Sequence, residues 1–432
     1  MTPIDTLIAK DRERQLKIAV VGDAMTDIYV HGHLDVGQEG CPKFVEDYRV
    51  KALGGAANAA SQLDSWNACT ILYSNYHSIE PIKTRFLVDG KHIFRHDNDE
   101  VDCETVMEEC RKAEMKSLWN HPPDAVLISD YCKGFLTSVM IREIIKVCNE
   151  RGIPVVADAK KPPHVYEGAI VQCNSAYLQK HLGANTYQDA RDWPGFRDKV
   201  VVTHGAGPPL VGRKIINAGH PNHRIVNHIG AGDCFAAHLT LALAHGLGLE
   251  DAAAIAHAAG RVYVQHPHNR PPFPHEIRRD LDPVGGKVVK YADLKLLGKS
   301  NAGRVVFTNG VFAVPHAGHS FLMTWAKQQG DVLVVGVNDD ASAGRLRGFA
   351  LPLAERVAML AGMESVDWVV PFSGDEPLDV IEALKPAVLV KGHDYTGCRV
   401  PGDELVKDVR FAPEGPFPQR HASGLVREIR QA

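Results

Sequence analysis

Short, uninterrupted apolar runs recur along the first 300 residues and predict buried strands. They occupy residues 17–22, 125–129, 154–158, 170–173 and 200–203. A strand that is covered on both faces of a parallel sheet is apolar throughout, so it gives a continuous run instead of an alternation. Helical patterns lie between several of these runs, for example over residues 138–151. This alternation of strands and helices predicts a layered α/β domain.

The pattern changes near residues 271–283, which are rich in proline and are followed by Gly285 and Gly286. Such a stretch is typical of the exit from a domain. A second series of apolar runs then covers residues 304–307, 332–337, 368–370 and 387–390. Because 432 residues exceed one ordinary core, we predict two α/β domains, over 1–285 and 301–432, joined by a linker at 286–300.

The composition narrows the class of protein. An apolar content of 45% with 23% charged residues is typical of a globular protein, and no stretch approaches the roughly 18 apolar residues of a membrane helix. The N-terminus is charged where a signal peptide would be apolar. Nine scattered cysteines, none in a CxxC pair, favour neither a zinc site nor a disulfide framework. We therefore expect a cytoplasmic protein with no membrane partner, and the net charge of −4 argues against a nucleic-acid partner.

Three clusters of small and acidic residues suggest where the first domain holds its chemistry. Gly22-Asp23 with Asp27 follow the first apolar run, where an α/β sheet presents its ligand crevice. Residues 54–58 open a helical pattern over 56–66, and glycines there let a ligand approach backbone N–H groups. The third cluster, residues 230–233, leads into a helical pattern over 234–246.

The third cluster carries the most chemical information. Glycines before a helix leave free N–H donors at the positive end of its dipole, which can hold the charge on a transferred phosphoryl group. Asp233, at the same place, can take the proton from an attacking hydroxyl. Taken alone, Gly230-Ala231-Gly232-Asp233 is more often a capped turn, because Asp is a favoured N-cap.

In the second domain, residues 308–319 join a strand to a helical pattern over 320–330, and His316 and His319 lie at the start of that helix. Two imidazoles at this place can face the phosphates of a nucleotide and stabilise the charge that builds on the α-phosphate. Zinc binding and two surface histidines are the alternatives. Zinc is the weaker of them, because no nearby cysteine or third histidine completes a ligand set.

Residues 15–275 resemble the ribokinase-like carbohydrate kinases. The three clusters, Ser129-Asp130-Tyr131 with Lys133-Gly134, and Asp158 with Lys160 occur in the order seen in that family. The likeness is greatest to the heptose-7-phosphate kinase half of a bifunctional enzyme. The resemblance implies ATP with Mg²⁺, Asp233 as general base and no metal-ligating side chain that can be assigned. It also implies an anion hole at Gly230, Ala231 and Gly232, sugar contacts from Asp27, Gly54, Gly55, Asn58 and Lys133, and a nucleotide contact from Asn174.

Residues 300–400 resemble the cytidylyltransferase-like nucleotidyltransferases, and within them the heptose-1-phosphate adenylyltransferase half of the same enzyme. The resemblance implies a smaller Rossmann-like domain in which His316 and His319 stabilise the transition state. The nucleotide contacts that it implies are Thr308, Asn309, Gly310, Phe312, Asn338, Arg356, Lys391 and Ser423. Arg356 and Lys391 are expected to meet phosphates, and the alternative for both is an ordinary solvated cation.

The predicted function is a bifunctional ATP-dependent kinase and adenylyltransferase that makes an ADP-sugar, ADP-heptose by resemblance, for lipopolysaccharide or another heptosylated glycan. Two positions differ from the families: Tyr177 stands where an acidic residue is usual, and Ala313 where aspartate is usual. These differences keep two alternatives open, an enzyme with one working half and a nucleotide-binding or sugar-phosphate-binding regulator without turnover. The partners expected are small molecules, and a homodimer is also left open.

Overall fold

The computed structural model describes residues 2–37, 41–75, 81–98, 104–183, 199–216, 225–266, 269–289, 291, 294 and 303–416. The chain forms two compact units, Met1–Leu281 and Asp282–Ala432. Residues that follow the proline-rich stretch already belong to the second unit, since the Val289 N–H donates to the Val369 carbonyl at 2.9 Å. Within the described ranges, no helix is long and apolar enough to cross a membrane.

The first unit contains two sheets. Its strands are β1 (Leu16–Gly22), β2 (Ala24–Val36), β3 (Pro42–Gly54), β4 (Ala68–Ser74), β5 (Ile82–Val88), β6 (Lys91–Asn98), β7 (Ala125–Ser129), β8 (Val155–Asp158), β9 (Ile170–Asn174), β10 (Val200–His204), β11 (Gly207–Val211) and β12 (Lys214–Ile215). The larger sheet has the order β12-β11-β10-β9-β8-β7-β1-β4 and is parallel from β10 to β4. All five predicted apolar runs are strands of this sheet, which confirms the layered α/β prediction.

The smaller sheet, in the order β3-β2-β5-β6, has no counterpart in the sequence prediction. Its strands carry many polar and exposed residues, and nearly every residue of β6 is exposed. Such strands lack the continuous apolar run that marks a buried strand. Asp27 belongs to this sheet, on β2, and does not lie in a loop directly after the first strand.

Helices of the first unit cover both faces of the large sheet. They are α1 (Pro3–Glu13), α2 (Gly55–Ser61), α3 (Glu104–Asn120), α4 (Ser138–Arg151), α5 (Ser175–Leu182), α6 (Ala231–Ala244), α7 (Leu249–Tyr263) and α8 (Pro274–Leu281). Helix α6 is buried at every position from Asp233 to Ala242, as expected of a helix without a polar face. It packs with Val20, Leu127 and Val156 of the sheet in one core cluster.

The second unit is built on one parallel sheet with the order β15-β14-β13-β16-β17. Its elements are β13 (Val305–Gly310), α9 (Ala317–Lys327), β14 (Val332–Asn338), α10 (Asp340–Arg347), α11 (Leu353–Ala361), β15 (Trp368–Phe372), α12 (Leu378–Leu384), β16 (Val388–Lys391) and β17 (Val409–Phe411). Apolar side chains fill both faces of the sheet. Because all five strands are parallel, the loops after β13, β14 and β16 meet at one edge, where ligands bind in folds of this kind.

Candidate active sites of the two units

Helix α6 begins at Gly230, which has a backbone conformation that other residues adopt only with strain. Gly230 has φ +85° in the left-handed region, and a Cβ there would come within 2.4 Å of the Tyr263 hydroxyl oxygen. The first turn then carries Ala231, the exposed Gly232 and the buried Asp233. N–H groups in a helix's first turn have no partner within the helix, so this end can receive an anion, as predicted.

Asp233 is held on both of its oxygens by residues that are distant in sequence. The Asn58 side-chain amide donates to Oδ2 at 2.8 Å, and the Tyr131 hydroxyl donates to Oδ1 at 2.6 Å. Burial raises the pKa of Asp233 to about 7, although both hydrogen bonds oppose the shift. A carboxyl with this pKa can accept a proton at neutral pH, which is what a general base requires.

Two buried aspartates shape the loop that places Tyr131. Asp23 accepts N–H donors from Tyr131, Lys133 and Phe135 at 2.9, 3.2 and 2.9 Å. Asp130 pairs with the Lys161 ammonium at 2.6 Å and accepts the Tyr166 hydroxyl at 2.6 Å. The Asp130 side chain and the Tyr131 N–H therefore fix the loop, and the Tyr131 hydroxyl reaches Asp233.

Three of the predicted sugar contacts lie on β2, at the end of β3 and at the start of α2. Asp27 lies on β2 and pairs with Arg85 of β5 at 2.5 Å, and both side chains are largely buried. Gly54 precedes helix α2, and a Cβ at Gly54 would come within 2.9 Å of the Asp27 carboxylate. Gly55 has φ +56°, and a Cβ there would strike the Asp23 carbonyl oxygen at 2.3 Å. These glycines let the small sheet close on the start of α2.

The position that differs from the kinase family is filled by an aromatic ring. Asn174 caps helix α5, its side-chain oxygen accepting the Tyr177 N–H at 2.9 Å. Tyr177 is buried, and its hydroxyl donates to the Lys161 carbonyl at 2.8 Å. Tyr177 therefore links α5 to the loop after β8, and it brings no carboxylate to the site.

In the second unit, the two histidines form a reciprocal cap at the start of α9. His316 Nδ1 accepts the Gly318 N–H at 3.2 Å, and His319 Nδ1 accepts the His316 N–H at 3.3 Å. The rings stack with their centroids 3.9 Å apart. Since each Nδ1 is an acceptor, each neutral ring carries its proton on Nε2. The Nε2–H of His319 is then a hydrogen-bond donor and not an acceptor.

The environment of His319 keeps that ring uncharged. Burial, with the nearby His316 and Arg347, lowers the pKa of His319 to about 3. Phe312, in the left-handed region at φ +49°, sets its ring edge-to-face against His319 with centroids 5.0 Å apart. Ala313 lies in a small apolar cluster with Val311 and Ala343, so the position where aspartate is usual packs against carbon here.

Lys391 reaches the same edge of the sheet from β16. Its ammonium donates to the Asn309 side-chain oxygen at 2.6 Å and lies 5.1 Å from the centre of the Tyr395 ring. Burial lowers the pKa of Lys391 to about 8. Thr308 and Gly310 complete β13, and the buried Thr308 hydroxyl has no hydrogen-bond partner among the described residues. Lys391 is not the ordinary solvated cation that the sequence left as an alternative.

Arg356 has a different surrounding from the one expected. Its side chain has 0% exposure, and it donates to the carbonyls of Val311, Leu351 and Asn338 and to the Asp340 carboxylate. With four of its five N–H donors engaged inside the protein, Arg356 braces the segments that follow β13 and β14, and its contact with a phosphate stays a prediction. It is not a solvated cation.

Two further nucleotide contacts were predicted. The Asn338 side-chain amide donates to the Gly374 carbonyl at 2.9 Å, so Asn338 ties the loops after β14 and β15 together. Ser423 lies outside the described residues.

Sequence reasoning assigned no site role to Tyr131, Lys83 or Lys160. Tyr131 stood in a motif, but nothing local shows that its hydroxyl meets Asp233, 102 positions away. Lys160 had a usable signal, a cation two residues after Asp158 at the end of a buried strand. Lys83 had none, because the sheet that carries it was not predicted.

The two units match different family models. Residues 94–276 match the pfkB family carbohydrate kinases, and residues 307–415 match the cytidylyltransferase-like family. Phosphofructokinase-2 from Escherichia coli, solved in complex with substrates and products, superimposes with a TM-score of 0.50 at 14% identity. The match covers 63% of this chain and 100% of that one, and it shows the fold.

Curated relatives span nearly the whole chain. The bifunctional protein HldE of Geobacter sulfurreducens is 30% identical over 440 residues, covering 90% of each chain. The bifunctional protein HldE of Campylobacter fetus subsp. fetus is 31% identical over 441 residues, covering 92% of this chain and 96% of that one. The chain thus belongs to the bifunctional HldE family and is a transferase that joins a carbohydrate kinase domain to a nucleotidyltransferase domain.

Proposed function

We propose that the chain makes an ADP-sugar in two steps, with a heptose phosphate as the sugar. The first unit phosphorylates heptose 7-phosphate at its anomeric hydroxyl and gives heptose 1,7-bisphosphate and ADP. A separate phosphatase then has to hydrolyse the 7-phosphate, and the second unit joins the resulting heptose 1-phosphate to AMP. The order of the motifs, the two family matches and the bifunctional relatives support this proposal. Both steps consume ATP, which supports a cytoplasmic location. The product would serve a lipopolysaccharide core or another heptosylated glycan.

In the kinase step, Asp233 takes the proton of the anomeric hydroxyl while its oxygen attacks the γ-phosphorus of ATP. A new O–P bond forms, the bond from the γ-phosphorus to the β-phosphate oxygen breaks, and ADP leaves. N–H groups at the start of α6, from Gly230 to Gly232, hold the transferred group. The observation that carries this half is the buried Asp233 carboxyl with a pKa of about 7 at that helix end.

In the adenylyl step, an oxygen of the sugar 1-phosphate attacks the α-phosphorus of ATP and expels pyrophosphate. Nε2–H groups of His316 and His319 donate to the α-phosphate oxygens as their charge grows. Lys391, with Asn309 holding its ammonium, stabilises the neighbouring phosphates. Neither histidine has to gain or lose a proton for this step to balance.

Mg²⁺ reaches both sites with ATP, whose phosphates supply much of its coordination; one or two carboxylates usually suffice on the protein side. Bound Mg²⁺ neutralises phosphate charge. The described residues include no cluster of three His, Cys, Asp or Glu side chains that could hold a metal. The described residues therefore fit a Mg²⁺ ion that arrives bound to ATP and do not fit a resident ion.

The test supplies each unit with its own substrate, in the presence of ATP and Mg²⁺, and follows the products by mass spectrometry. Heptose 7-phosphate should yield heptose 1,7-bisphosphate and ADP, heptose 1-phosphate should yield ADP-heptose and pyrophosphate, and hexose 6-phosphates serve as comparison substrates. If neither reaction occurs, the proposal is wrong. Light scattering of the same sample measures whether the chain is a homodimer, which stays a prediction.

A second candidate is an adenylyltransferase whose kinase unit no longer turns over. Tyr177 favours it, because its buried ring stands where the kinase family usually has a carboxylate. Heptose 1-phosphate supplied directly would then yield ADP-heptose, whereas heptose 7-phosphate would yield neither ADP nor heptose 1,7-bisphosphate. Formation of ADP from heptose 7-phosphate would exclude this candidate.

A further inference from the structure

Two lysines from different sheets converge on Tyr131, whose hydroxyl holds Asp233. The Lys160 ammonium lies 5.4 Å from the centre of the Tyr131 ring, and the Lys83 ammonium lies 5.1 Å from it. A neutral ring attracts an ammonium group without neutralising its charge. Tyr131, whose hydroxyl contacts Asp233, therefore brings two cations together without neutralising either of them.

Lys160 comes from the large sheet, two residues after the end of β8. Its ammonium is 2.9 Å from each oxygen of the buried Asp158, and a little over a third of its side chain is exposed. Burial lowers the pKa of Lys160, but Asp158, with smaller contributions from Asp233 and Asp130, raises it by more, so the net shift is upward. Lys160 is thus a fixed, charged group that still has an open side.

Lys83 comes from the small sheet, on β5, in register with Asp27 of β2. The Asp27 carboxylate is already taken by Arg85. In the part of the chain that the structure describes, no carboxylate lies within ion-pair distance of the Lys83 ammonium. Burial lowers the pKa of Lys83, and the nearby Asp27 carboxylate offsets this only in part.

We propose that Lys83 and Lys160 form a two-sided clamp for a phosphate group next to Asp233. The clamp rests on the kinase half of the proposed function and adds residues to it. A phosphate carries two or more negative charges in a tetrahedral arrangement, and lysine binds it as a point charge from any side. Two ammonium groups that approach the Tyr131 ring from different sheets match such a ligand.

The phosphate has two sources, the phosphoryl group of ATP and the phosphate that the sugar already carries. In either case the clamp makes and breaks no bond; it stabilises charge while the hydroxyl proton passes to Asp233. The clamp also explains how this kinase unit works with Tyr177 in place of a carboxylate. Two ammonium groups stabilise the phosphate charge that a metal ion held by a carboxylate would otherwise neutralise.

The variants Lys83→Met and Lys160→Met remove the charge and keep much of the side-chain length. Each is expected to lower kcat for the kinase step by about 10²–10³-fold, the cost of losing one preorganised charge-stabilising group. Adenylyl transfer from supplied heptose 1-phosphate should stay at the wild-type rate, which reports that the second unit is folded, and an unchanged thermal unfolding curve reports that the first unit is folded. Lys214→Met is the matched control, because Lys214 is exposed and pairs with Glu250 outside the site.

Lys160→Met leaves the buried Asp158 without its partner, so that variant is paired with the double variant Asp158→Asn, Lys160→Met. Both should lose kinase turnover, and Lys160→Arg should recover part of it. A double variant that recovers wild-type turnover would show that Lys160 serves only to neutralise Asp158 and would overturn its place in the clamp.

Comparing heptose 7-phosphate with unphosphorylated heptose separates the two sources. An equal loss with both sugars assigns the clamp to the phosphoryl group of ATP, and a loss confined to heptose 7-phosphate assigns it to the sugar's own phosphate. Kinase turnover within about threefold of wild type in both lysine variants would refute the clamp, since a preorganised charge contributes far more than that.

A second measurement does not depend on turnover. Lysine acetylation is followed residue by residue by mass spectrometry, with and without millimolar inorganic phosphate. Phosphate should slow labelling of Lys83 and Lys160 and leave Lys214 unchanged. If Lys83 and Lys160 are labelled equally fast with and without phosphate, the clamp is wrong. This result is independent of turnover: failure of the wild-type kinase reaction would reject the proposed function and not the clamp.

Discussion

Both units place their chemistry at the N-terminus of a helix, but they fill that position with groups of opposite behaviour. Helix α6 begins at Gly230, which has no side-chain cap, and it carries Asp233 in its first turn. Helix α9 begins at His316 and is capped by its own two histidines. One helix end has no side-chain cap, whereas the other is capped by its own histidine rings.

Burial shifts the pKa of one group in each unit, and the two shifts have opposite directions. It raises the pKa of Asp233 to about 7 and lowers the pKa of His319 to about 3, because in each case it disfavours the charged form. For the carboxyl, this produces a group that can exchange a proton at neutral pH. For the imidazole, it produces a permanent neutral donor. The same physical effect therefore supports proton transfer in one unit and charge stabilisation in the other.

The largest effect is expected from Asp233→Asn, which keeps the shape and removes the base. Kinase turnover should fall by about 10²–10⁴-fold, the usual contribution of a positioned general base. Adenylyl transfer from heptose 1-phosphate should be unchanged, and both rates are measured in one preparation. Equal losses in the two assays would instead point to unfolding, and an intact kinase rate would remove Asp233 from the mechanism.

The converse change is His316→Asn. Asparagine is a good N-cap, so helix α9 should keep its start while losing the Nε2–H donor. We expect adenylyl transfer to fall by about 10²–10³-fold, with kinase turnover intact. Thermal unfolding should shift little; a large drop in melting temperature would mean that the imidazole matters for the cap and would undo the comparison.

A smaller effect is expected in the pH dependence of the two activities, which should differ between the units. Asp233 must be deprotonated to act, and its folded-state pKa is raised to about 7. Kinase kcat/KM should therefore be full above pH 7 and fall about tenfold for each pH unit below it. Adenylyl transfer should vary little between pH 5 and 8 on account of His319, which stays neutral there. Parallel profiles for the two steps would contradict the contrast.

The smallest effect concerns the open helix end itself. Gly230→Ala should cost about 1–3 kcal/mol of stability, because alanine is strained at φ +85° and its Cβ would meet Tyr263 and Asn58. Gly232→Ala is the matched control, since a Cβ there meets nothing within 4 Å. Denaturant unfolding of both variants measures the difference, and equal stabilities would show that Gly230 is not specifically required.

The sequence located the local parts of this protein correctly. Its apolar runs predicted five strands of the large sheet and four of the five strands of the second unit's sheet. The residues before α6 and α9 identified both helix starts. Burial on both faces of a strand imposes a local pattern, and a helix start needs residue types close together in the chain. The small sheet was missed, because its exposed strands carry no such pattern.

Whether a given cation faces a ligand could not be decided from the sequence. Arg356 and Lys391 looked equivalent, yet Arg356 is enclosed by carbonyls from three separate segments, and Lys391 donates to the side chain of Asn309. The difference depends on which backbone atoms other segments bring to each side chain. No local periodicity records that.

By itself, the sequence determined two α/β units, a carboxylate at one helix start and a histidine pair at another, because these follow from neighbouring residues. Only the tertiary structure decided what those groups touch. Asn58 and Asp233 are 175 positions apart, and Lys83 and Lys160 meet at Tyr131 from different sheets. Contacts between distant segments depend on how whole sheets pack, and they set the burial from which the chemistry of both sites arises.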